Sequence, residues 1–210
     1  MKRHLESGAI LPDKAKDKMA KEQITGEAAA DLTTLLDRNR SFAEQFAAGD
    51  LKILPRMSTI LLTCVDARVD PAHLFGLGLG DAVVIRNAGG RITPAVMGDL
   101  GILGVLAAAA NQPGTSPMQP ELVVIHHTDC GMSRLANPAI QGQVAKRLGL
   151  SVDEVSAMAI SDPATSVQDD VDRLRHTPGT PDQLVVSGFV YDVSNGTLNQ
   201  VVPPAPLRAS

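Results

Sequence analysis

The sequence predicts an α/β domain built on a mainly parallel sheet with helices packed beside it. Four short apolar runs alternate with stretches of helical spacing, and this alternation is typical of α/β folds. The runs are rich in Leu and β-branched residues and do not alternate with polar ones, as in parallel strands that are covered on both faces. Near the end of the chain, Asn195-Gly196 indicates a hairpin turn. We therefore expect one antiparallel strand at an edge of the sheet.

The first predicted element is a helix in the region that begins at Thr25. Its apolar residues recur at a spacing of three or four: Ala28, Leu32, Leu35, Leu36, Phe42 and Phe46. This spacing places them on one helix face. Residues 1–24 are polar and lysine-rich and predict a charged N-terminal arm. Gly49 and Pro55 end the helical region.

The remaining elements follow the alternation of apolar runs and helical stretches. The predicted strands are 59–63, 82–85, 122–125 and 184–186. The predicted helices are 94–111, 137–148, 152–159 and 165–176. In the first of these helices we expect Met97, Leu100, Leu103 and Leu106 to belong to the core. Segments 191–193 and 197–199 flank the hairpin turn. We expect a single domain over 25–202, followed by a loose tail over 203–210.

Composition excludes several classes of function. The 210 residues, 44% of them hydrophobic, are enough for one domain with a sizeable core. Aromatic residues make up only 2% and the formal net charge is −4, so neither a base-stacking surface nor a basic field indicates nucleic acid. No apolar run approaches the roughly 20 residues that span a bilayer, and the N-terminal region lacks the apolar middle of a signal peptide. We expect a cytoplasmic protein with no membrane partner.

Two segments that carry reactive side chains follow predicted strands. Cys64-Val65-Asp66-Ala67-Arg68 ends the first strand, and His127-Thr128-Asp129-Cys130-Gly131 ends the third. Sites in open parallel sheets form beyond the carboxyl ends of the strands, so these segments are expected to meet. In a reducing compartment, a pair of cysteines indicates a metal or catalytic site more often than a disulfide. Two thiolates and one imidazole suit tetrahedral zinc and leave its fourth position open.

Such a site can carry out hydration chemistry. Zinc lowers the pKa of a bound water to about 7. Asp66 could accept a hydrogen bond from the resulting hydroxide or close the site as a fourth ligand. Arg68 could hold Asp66 in a bidentate pair and keep it ionised. From the residues alone, a structural zinc site or two inert buried cysteines remain as alternatives.

Together, the C-x-D-[SA]-R and H-x-x-C patterns resemble those of the β-class carbonic anhydrases. Three further segments agree with this family. Arg86-Asn87-Ala88-Gly89-Gly90 matches its R-N-A-G-G turn, and residues 124–132 match the H-H-T-D-C-G-M version of a small-subunit subgroup. Residues 188–193 with Gly196-Thr197-Leu198 resemble its closing hairpin. The resemblance covers the chain from Phe42 to Val201.

The resemblance implies a four-stranded parallel sheet with an antiparallel fifth strand and flanking helices. The same resemblance implies a homodimer in which N-terminal helices wrap the partner, or a higher homo-oligomer. It also implies that Cys64, His127 and Cys130 bind Zn²⁺ and that Asp66 and Arg68 form the catalytic dyad. The expected reaction is reversible hydration of carbon dioxide to bicarbonate and a proton by attack of zinc-bound hydroxide. Gly89 and Gly90 would let the backbone approach the substrate pocket.

The pocket departs from the plant-type pattern. Asp50 stands where plant members have Gln, and Val83 stands where they have Phe. The expected pocket tyrosine is missing because Tyr191 is the only one in the chain. We therefore expect a less aromatic pocket that includes Val83.

Two other functions stay open at this point. Carbonyl sulfide or carbon disulfide hydrolases of the same subgroup share the zinc ligands, and pocket shape alone would separate them from carbonic anhydrases. A non-catalytic protein that binds zinc or bicarbonate is the second alternative, although it would not need the Asp66–Arg68 pair. The sequence assigns no function to 112–119 or to 137–164.

Three residues near the motifs receive secondary roles. His126 precedes His127 in a strand, where successive side chains point to opposite faces, so we expect it to face away from the metal. Asp129 is expected to form a turn or a helix start. Arg86 could anchor its own turn or pair with a carboxylate across a dimer.

Overall fold

The computed structural model describes residues 32–110, 120–182 and 184–208. The chain divides into two units, Met1–Gly49 and Asp50–Ser210. In the first unit, helix α1 covers Leu32–Glu44, and the rings of Phe42 and Phe46 lie 5.6 Å apart between centroids. The predicted arm over 1–24, the start of the first predicted helix and the loop at 112–119 lie outside the described residues.

The second unit contains a five-stranded sheet in the order β2-β1-β3-β4-β5. Its strands are β1 Thr59–Cys64, β2 Val83–Asn87, β3 Glu121–His127, β4 Val185–Tyr191 and β5 Leu198–Pro206. The first four are parallel, and β5 runs antiparallel to β4 at the edge. The predicted fold class is therefore confirmed. Strands β1 and β3 are neighbours in the sheet although β2 lies between them in sequence, which brings their carboxyl ends together.

Five helices flank this sheet among the described residues of the unit. They are α2 Pro71–Phe75, α3 Pro94–Ala110, α4 Pro138–Leu148, α5 Val152–Ser156 and α6 Pro163–His176. Four of these helices are preceded by an N-cap residue whose side chain accepts a hydrogen bond from a backbone N–H of the first turn, as expected of Asp, Asn and Ser at this position. The four N-cap residues are Asp70, Asn137, Ser151 and Asp162. Within the described part of the chain, no helix combines the length and the apolar character needed to cross a membrane.

The core lies on both faces of the sheet. On one face, Leu62 and Val124 pack against Val171 and Leu174 of α6. On the other face, the neighbouring strand residues pack beside α2: Leu61 and Ile125 form a cluster with Val69 and Tyr191. Burial on both faces explains why the strand sequences are continuously apolar.

The predicted loose tail is wrong for residues 203–208. Strand β5 continues to Pro206, which pairs with Val185 of β4, and Leu207 is buried. The Arg208 guanidinium then donates to backbone carbonyl groups at the end of α6, including Thr177 O at 2.9 Å. Prolines do not prevent this pairing because an edge strand has one side that needs no donors.

The predicted core of α3 is only partly correct. Met97 and Leu100 pack against the main core, whereas Leu106 is 53% exposed and its neighbours Ile102 and Val105 are 61% and 70% exposed. Apart from Asp99, the helix consists of apolar residues and glycine, so covering one side with the sheet leaves apolar side chains on the other. The predicted helix over 152–159 is also shorter and ends at Ser156.

Candidate metal centre and active site

The three predicted metal ligands come together at the carboxyl ends of β1 and β3. Cys64 is the last residue of β1, His127 is the last of β3, and Cys130 follows three positions later. One ligand atom from each residue lies within 4.8 Å of the other two, and all three residues are buried. Both cysteines are free. This donor set, two sulfurs and one nitrogen in a small buried space, fits zinc.

The His127 ring is oriented for metal binding by its other nitrogen. Nδ1 lies 2.8 Å from Thr128 O, and because a carbonyl only accepts, Nδ1 carries the proton. Nε2 is buried and has no hydrogen-bond partner, so its lone pair is directed at the two cysteines. Thr128 is itself held by the hairpin, since its N–H donates to Tyr191 O at 2.9 Å. An unpartnered imidazole lone pair with a fixed tautomer is the usual arrangement of a metal-ligating histidine.

A sharp reversal after β3 returns Cys130 to the site. Asp129 has φ = 52°, a left-handed conformation that Asp tolerates better than most residues. Cys130 then precedes a 3₁₀ turn over Gly131–Ala136. Asp129 thus has the turn role that its position predicts.

The two thiols titrate as a pair because they lie in contact. The Cys130 thiol donates a hydrogen bond to the Cys64 sulfur, and the adjacent His127 ring and the backbone N–H groups of Asp66 and Gly89 also favour the thiolate, so the pKa of Cys64 is lowered to about 3. The adjoining Cys64 thiolate and burial raise the pKa of Cys130. Burial opposes charge on the His127 ring, but the Cys64 thiolate outweighs it and raises the pKa of His127. The cluster therefore holds negative charge readily, which favours a cation.

Asp66 lies beside the cluster and is held by Arg68. The Arg68 Nη2 donates to Asp66 Oδ2 at 2.8 Å and its Nε donates to Oδ1 at 3.0 Å, so both carboxylate oxygens accept from one guanidinium. Asp66 Oδ2 is 4.0 Å from His127 Nε2. The hydrogen bonds from Arg68 hold the pKa of Asp66 below its usual range. Arg68 is in turn fixed by Asp129, whose Oδ2 accepts from Nη1 at 2.8 Å.

A protein-family model described as carbonic anhydrase matches residues 59–198. The chain is 31% identical over 168 residues to β-carbonic anhydrase 1 of Mycobacterium tuberculosis, a match that covers 80% of this chain and 96% of the relative. The chain belongs to the β-carbonic anhydrase family.

Other relatives of this β-carbonic anhydrase family member carry two activities in their names. A carbonic anhydrase structure from Streptococcus mutans aligns with a TM-score of 0.69 and 28% identity, covering 83% of this chain and 99% of that one. A carbon disulfide hydrolase from Acidianus sp. is 25% identical over 195 residues, covering 80% of this chain and 90% of the relative. Family membership therefore leaves the substrate open between the two.

Arg86 of this family member fastens the loop that carries Asp66. Its Nε donates to Cys64 O at 3.0 Å and its Nη2 donates to Asp66 O at 2.8 Å. Of the two roles open to Arg86 from the sequence, anchoring a local turn is the one that these contacts support.

Gly89 and Gly90 form a tight turn against the metal centre. The Gly89 N–H donates to the Cys64 sulfur at 3.4 Å. A Cβ on Gly90 would lie 2.9 Å from the carbonyl carbon of Thr63, so the turn approaches the backbone of β1 as closely as glycine permits. The structure thus brings both predicted glycines to the site.

Val83 is not brought to the metal centre. It pairs with Ile60 at the start of β2, whereas Cys64 pairs with Asn87 at the end. Val83 instead lines an apolar cleft of about 770 Å³ beside α3. The apolar run predicted a strand over 82–85, and the observed strand begins one residue later and extends to Asn87. The assignment of Val83 to the pocket rested on the family resemblance alone.

Two residues of the site lack any signal in the motifs. Ile160, from the segment over 137–164, packs with Met132 against both cysteines. Asp170 is fully buried on α6, and its carboxylate accepts hydrogen bonds from Arg91 and Ile92, the two residues that follow Gly90. The sequence did contain one indication for Asp170, because it lies on the same face of the predicted helix as the apolar residues Val167 and Val171. Buried acids are rare unless they are paired, so an acid on this face indicates a buried partner.

Proposed function

We propose that this protein is a zinc enzyme that reversibly hydrates carbon dioxide to bicarbonate and a proton. The observation that carries the proposal is a buried donor set of Cys64, His127 and Cys130 beside a carboxylate that Arg68 holds through both oxygens. A structural zinc site has no use for this carboxylate, so the Asp66–Arg68 pair supports catalysis over the non-catalytic alternative. Membership of the β-carbonic anhydrase family supports the same reaction.

Zinc at this site would lower the pKa of a water ligand to about 7 and supply hydroxide at neutral pH. Asp66 stays ionised because of Arg68, so it can accept a hydrogen bond and orient the nucleophile, a positioning effect. Each Asp66 oxygen accepts one hydrogen bond from Arg68 and keeps a further lone pair, so the carboxylate can accept from a zinc-bound hydroxide while Arg68 holds it. With Asp66 in that role, the fourth position on zinc would be left for water and substrate.

The protein also keeps water away from the thiolate side of the centre. Ile160 is buried and packs with Met132 against Cys64 and Cys130. Its N–H lies 3.4 Å from Met132 O, which ties the segment after α5 to the 3₁₀ turn that follows Cys130. An apolar shell of this kind controls solvent access and the local dielectric constant at a metal site.

Hydrolysis of carbon disulfide or carbonyl sulfide is the second candidate function. The 25% identity to a carbon disulfide hydrolase over 195 residues favours it. In both reactions hydroxide attacks the carbon of a linear molecule. Hydration of carbon dioxide ends at bicarbonate, whereas with carbonyl sulfide the C–S bond then breaks and carbon dioxide and hydrogen sulfide are released.

We further propose that the protein is a homodimer. The exposed apolar side chains of Ile102, Val105 and Leu106 on α3 lie beside the apolar cleft, and contiguous apolar patches of this kind mark interaction surfaces. A second copy of the chain is the partner that the family resemblance implies. The same surface would become the core of the dimer interface.

Stopped-flow kinetics test the proposed reaction. The zinc-loaded protein is assayed for carbon dioxide hydration and, in parallel, for sulfide release from carbonyl sulfide and carbon disulfide, with Cys64→Ala as the blank. We expect fast hydration and little sulfide. Fast sulfide release with weak hydration would assign the second candidate, and bound zinc with neither activity would overturn the enzymatic proposal.

A further inference from the structure

A buried polar cluster joins α6 to the turn beside the metal centre. Asp170 is 0% exposed, and its Oδ2 accepts from the Arg91 Nε at 2.9 Å and from the Ile92 N–H at 3.1 Å. The His126 Nε2 lies 3.3 Å from the same oxygen. Three donors therefore converge on one carboxylate oxygen in the interior.

His126 connects this carboxylate to the turn itself. Its Nε2 lies 3.2 Å from Gly90 O, and because a carbonyl only accepts, Nε2 carries the proton and is shared between Gly90 and Asp170. As expected from strand alternation, the ring lies on the side of β3 opposite to His127. The Asp170 carboxylate thus contacts Arg91 and Ile92 directly, and it is linked to the Gly90 carbonyl through the His126 ring.

The turn is also closed across its base. The Asn87 side chain accepts from the Arg91 N–H at 2.8 Å and donates to Arg91 O at 2.7 Å. Within the closed turn, the Gly89 N–H donates to the Cys64 sulfur at 3.4 Å. The position of this N–H therefore depends on where Arg91 is held.

We propose that Asp170 is a positioning residue for the metal-binding thiolate: it fixes the Asn87–Arg91 turn so that the Gly89 N–H stays directed at the Cys64 sulfur. The inference rests on the proposed zinc site. An N–H hydrogen bond to a ligating sulfur stabilises the thiolate and tunes the metal, and partners beyond the ligands typically change metal affinity or activity by about 10–100-fold when they are lost. Asp170 acts one step further out, through the backbone that carries this donor.

A packing role alone would not require a carboxylate here. Burial of an acid is costly unless it is paired, and the neighbouring positions Val171 and Leu174 show that α6 packs on the sheet with apolar side chains. Asp170 Oδ2 accepts from Arg91 and Ile92 at the end of the turn and lies 3.3 Å from His126 of β3, whose ring also contacts Gly90 O. On α6 itself, Arg173 Nε is farther away, 3.7 Å from Oδ1. The shorter contacts therefore lead to the Asn87–Arg91 turn and its flanking residue, which is the reason to assign a positioning role.

The test uses Co²⁺ as a spectroscopic probe of the centre in the full-length protein. Three variants are compared with the unchanged chain. Asp170→Leu removes the acceptor with a side chain of the same branching but larger volume, and Asp170→Asn keeps one acceptor oxygen. Val171→Ala, which loses packing at the next position, is the matched control for lost stability. The readouts are the thiolate-to-cobalt charge-transfer band, the visible d–d bands and the zinc dissociation constant from chelator competition.

We expect Asp170→Leu to shift the charge-transfer band and weaken zinc binding by about tenfold or more. Asp170→Asn should retain most of the affinity, and Val171→Ala should lower Tm without moving the bands. If Asp170→Leu lowers Tm but leaves the bands and the dissociation constant like those of Val171→Ala, the positioning role is overturned and the zinc site stands. If the unchanged chain gives no cobalt–thiolate band, the zinc site itself is overturned, and the inference with it.

A second variant covers the case in which Asp170→Leu does not fold. Arg91→Gln leaves Asp170 in place but removes the guanidinium donor that links it to the end of the turn. A shifted charge-transfer band in this variant supports the positioning role, whereas an unchanged band overturns it.

Discussion

Replacing Gly90 with Ala tests whether the turn is as tightly seated as the structure indicates. Gly90 has φ = +69°, and a Cβ there would lie 2.9 Å from the Thr63 carbonyl carbon, 3.0 Å from the Cys64 nitrogen and 3.0 Å from Ile125 O. All three are main-chain atoms of the two central strands, so none can move aside as the end of a flexible side chain would. The substitution therefore strains the turn and overpacks the sheet at once.

The magnitude follows from these two costs. A left-handed conformation costs a residue other than Gly about 1–2 kcal/mol, and overpacking of a well-packed interior costs about 1–3 kcal/mol. We expect Gly90→Ala to lower the free energy of unfolding by about 2–5 kcal/mol. The matched control is Gly142→Ala within α4, where a Cβ meets nothing within 4 Å and Ala should raise stability by about 0.5–1 kcal/mol.

Urea unfolding followed by far-UV circular dichroism measures both variants at one fixed free-zinc concentration, since bound metal adds to apparent stability. A change of less than about 0.5 kcal/mol in the free energy of unfolding of Gly90→Ala, the range of ordinary surface substitutions, would show that the turn is not seated this tightly. Equal destabilisation by both Ala substitutions would lead to the same conclusion, because the control has no clash to explain a loss.

Three further predictions concern catalysis, assembly and pH. Arg68→Lys cannot bind both Asp66 oxygens, so kcat for carbon dioxide hydration should fall by about 10–100-fold while zinc content is unchanged; loss of zinc instead would contradict the assigned role. Val105→Glu should convert the dimer to monomer in light scattering, whereas Gln143→Glu on α4 should not, and a monomeric unchanged protein would refute the proposed interface. The pKa of Asp170 is held low in the fold because, although burial opposes it, hydrogen bonds from His126 and Arg91 prevail; its stabilisation is therefore present above the unfolded value of about 4 and lost as the pH falls through the lower folded value. The stability difference between the unchanged protein and Asp170→Asn should accordingly shrink below about pH 4, and a difference that stays constant from neutral pH to that range would contradict this linkage.

The sequence predicts well the features that depend on a residue and its near neighbours in the chain. Cys64 follows its apolar run directly and His127 follows its run after one residue, and an open parallel sheet places such positions at a common edge. The sequence therefore predicts that the two segments meet, whereas the binding of zinc by them is implied by the family resemblance. The Asn195-Gly196 turn likewise marked the start of β5. In each case the residue type and its immediate neighbours determine the structure.

The features that it predicts poorly depend on partners far along the chain. Asp170 meets Arg91 and Ile92 only because α6 packs over the sheet, and no local pattern specifies that crossing. The prolines at 203, 204 and 206 are typical of a loose tail, yet they tolerate pairing at an edge strand.

The exposure of apolar side chains on α3 could not be predicted from the sequence for a different reason. Leu106 has the spacing of a core residue, but apart from Asp99 the helix is apolar on every side and so has no face that marks the core. Which side is covered within one subunit is decided by packing on the sheet, and the other side remains for an interface.

Zinc K-edge X-ray absorption of the purified full-length protein is the most direct test of the central claim, that Cys64, His127 and Cys130 hold one catalytic zinc. We expect one zinc per chain with two sulfur ligands at about 2.3 Å, one imidazole nitrogen at about 2.0–2.1 Å and one further light-atom ligand at the open position. Cys130→Ser should lose one of the two sulfurs. A first shell with no sulfur, or with the same two sulfurs retained in Cys130→Ser, would contradict the claim.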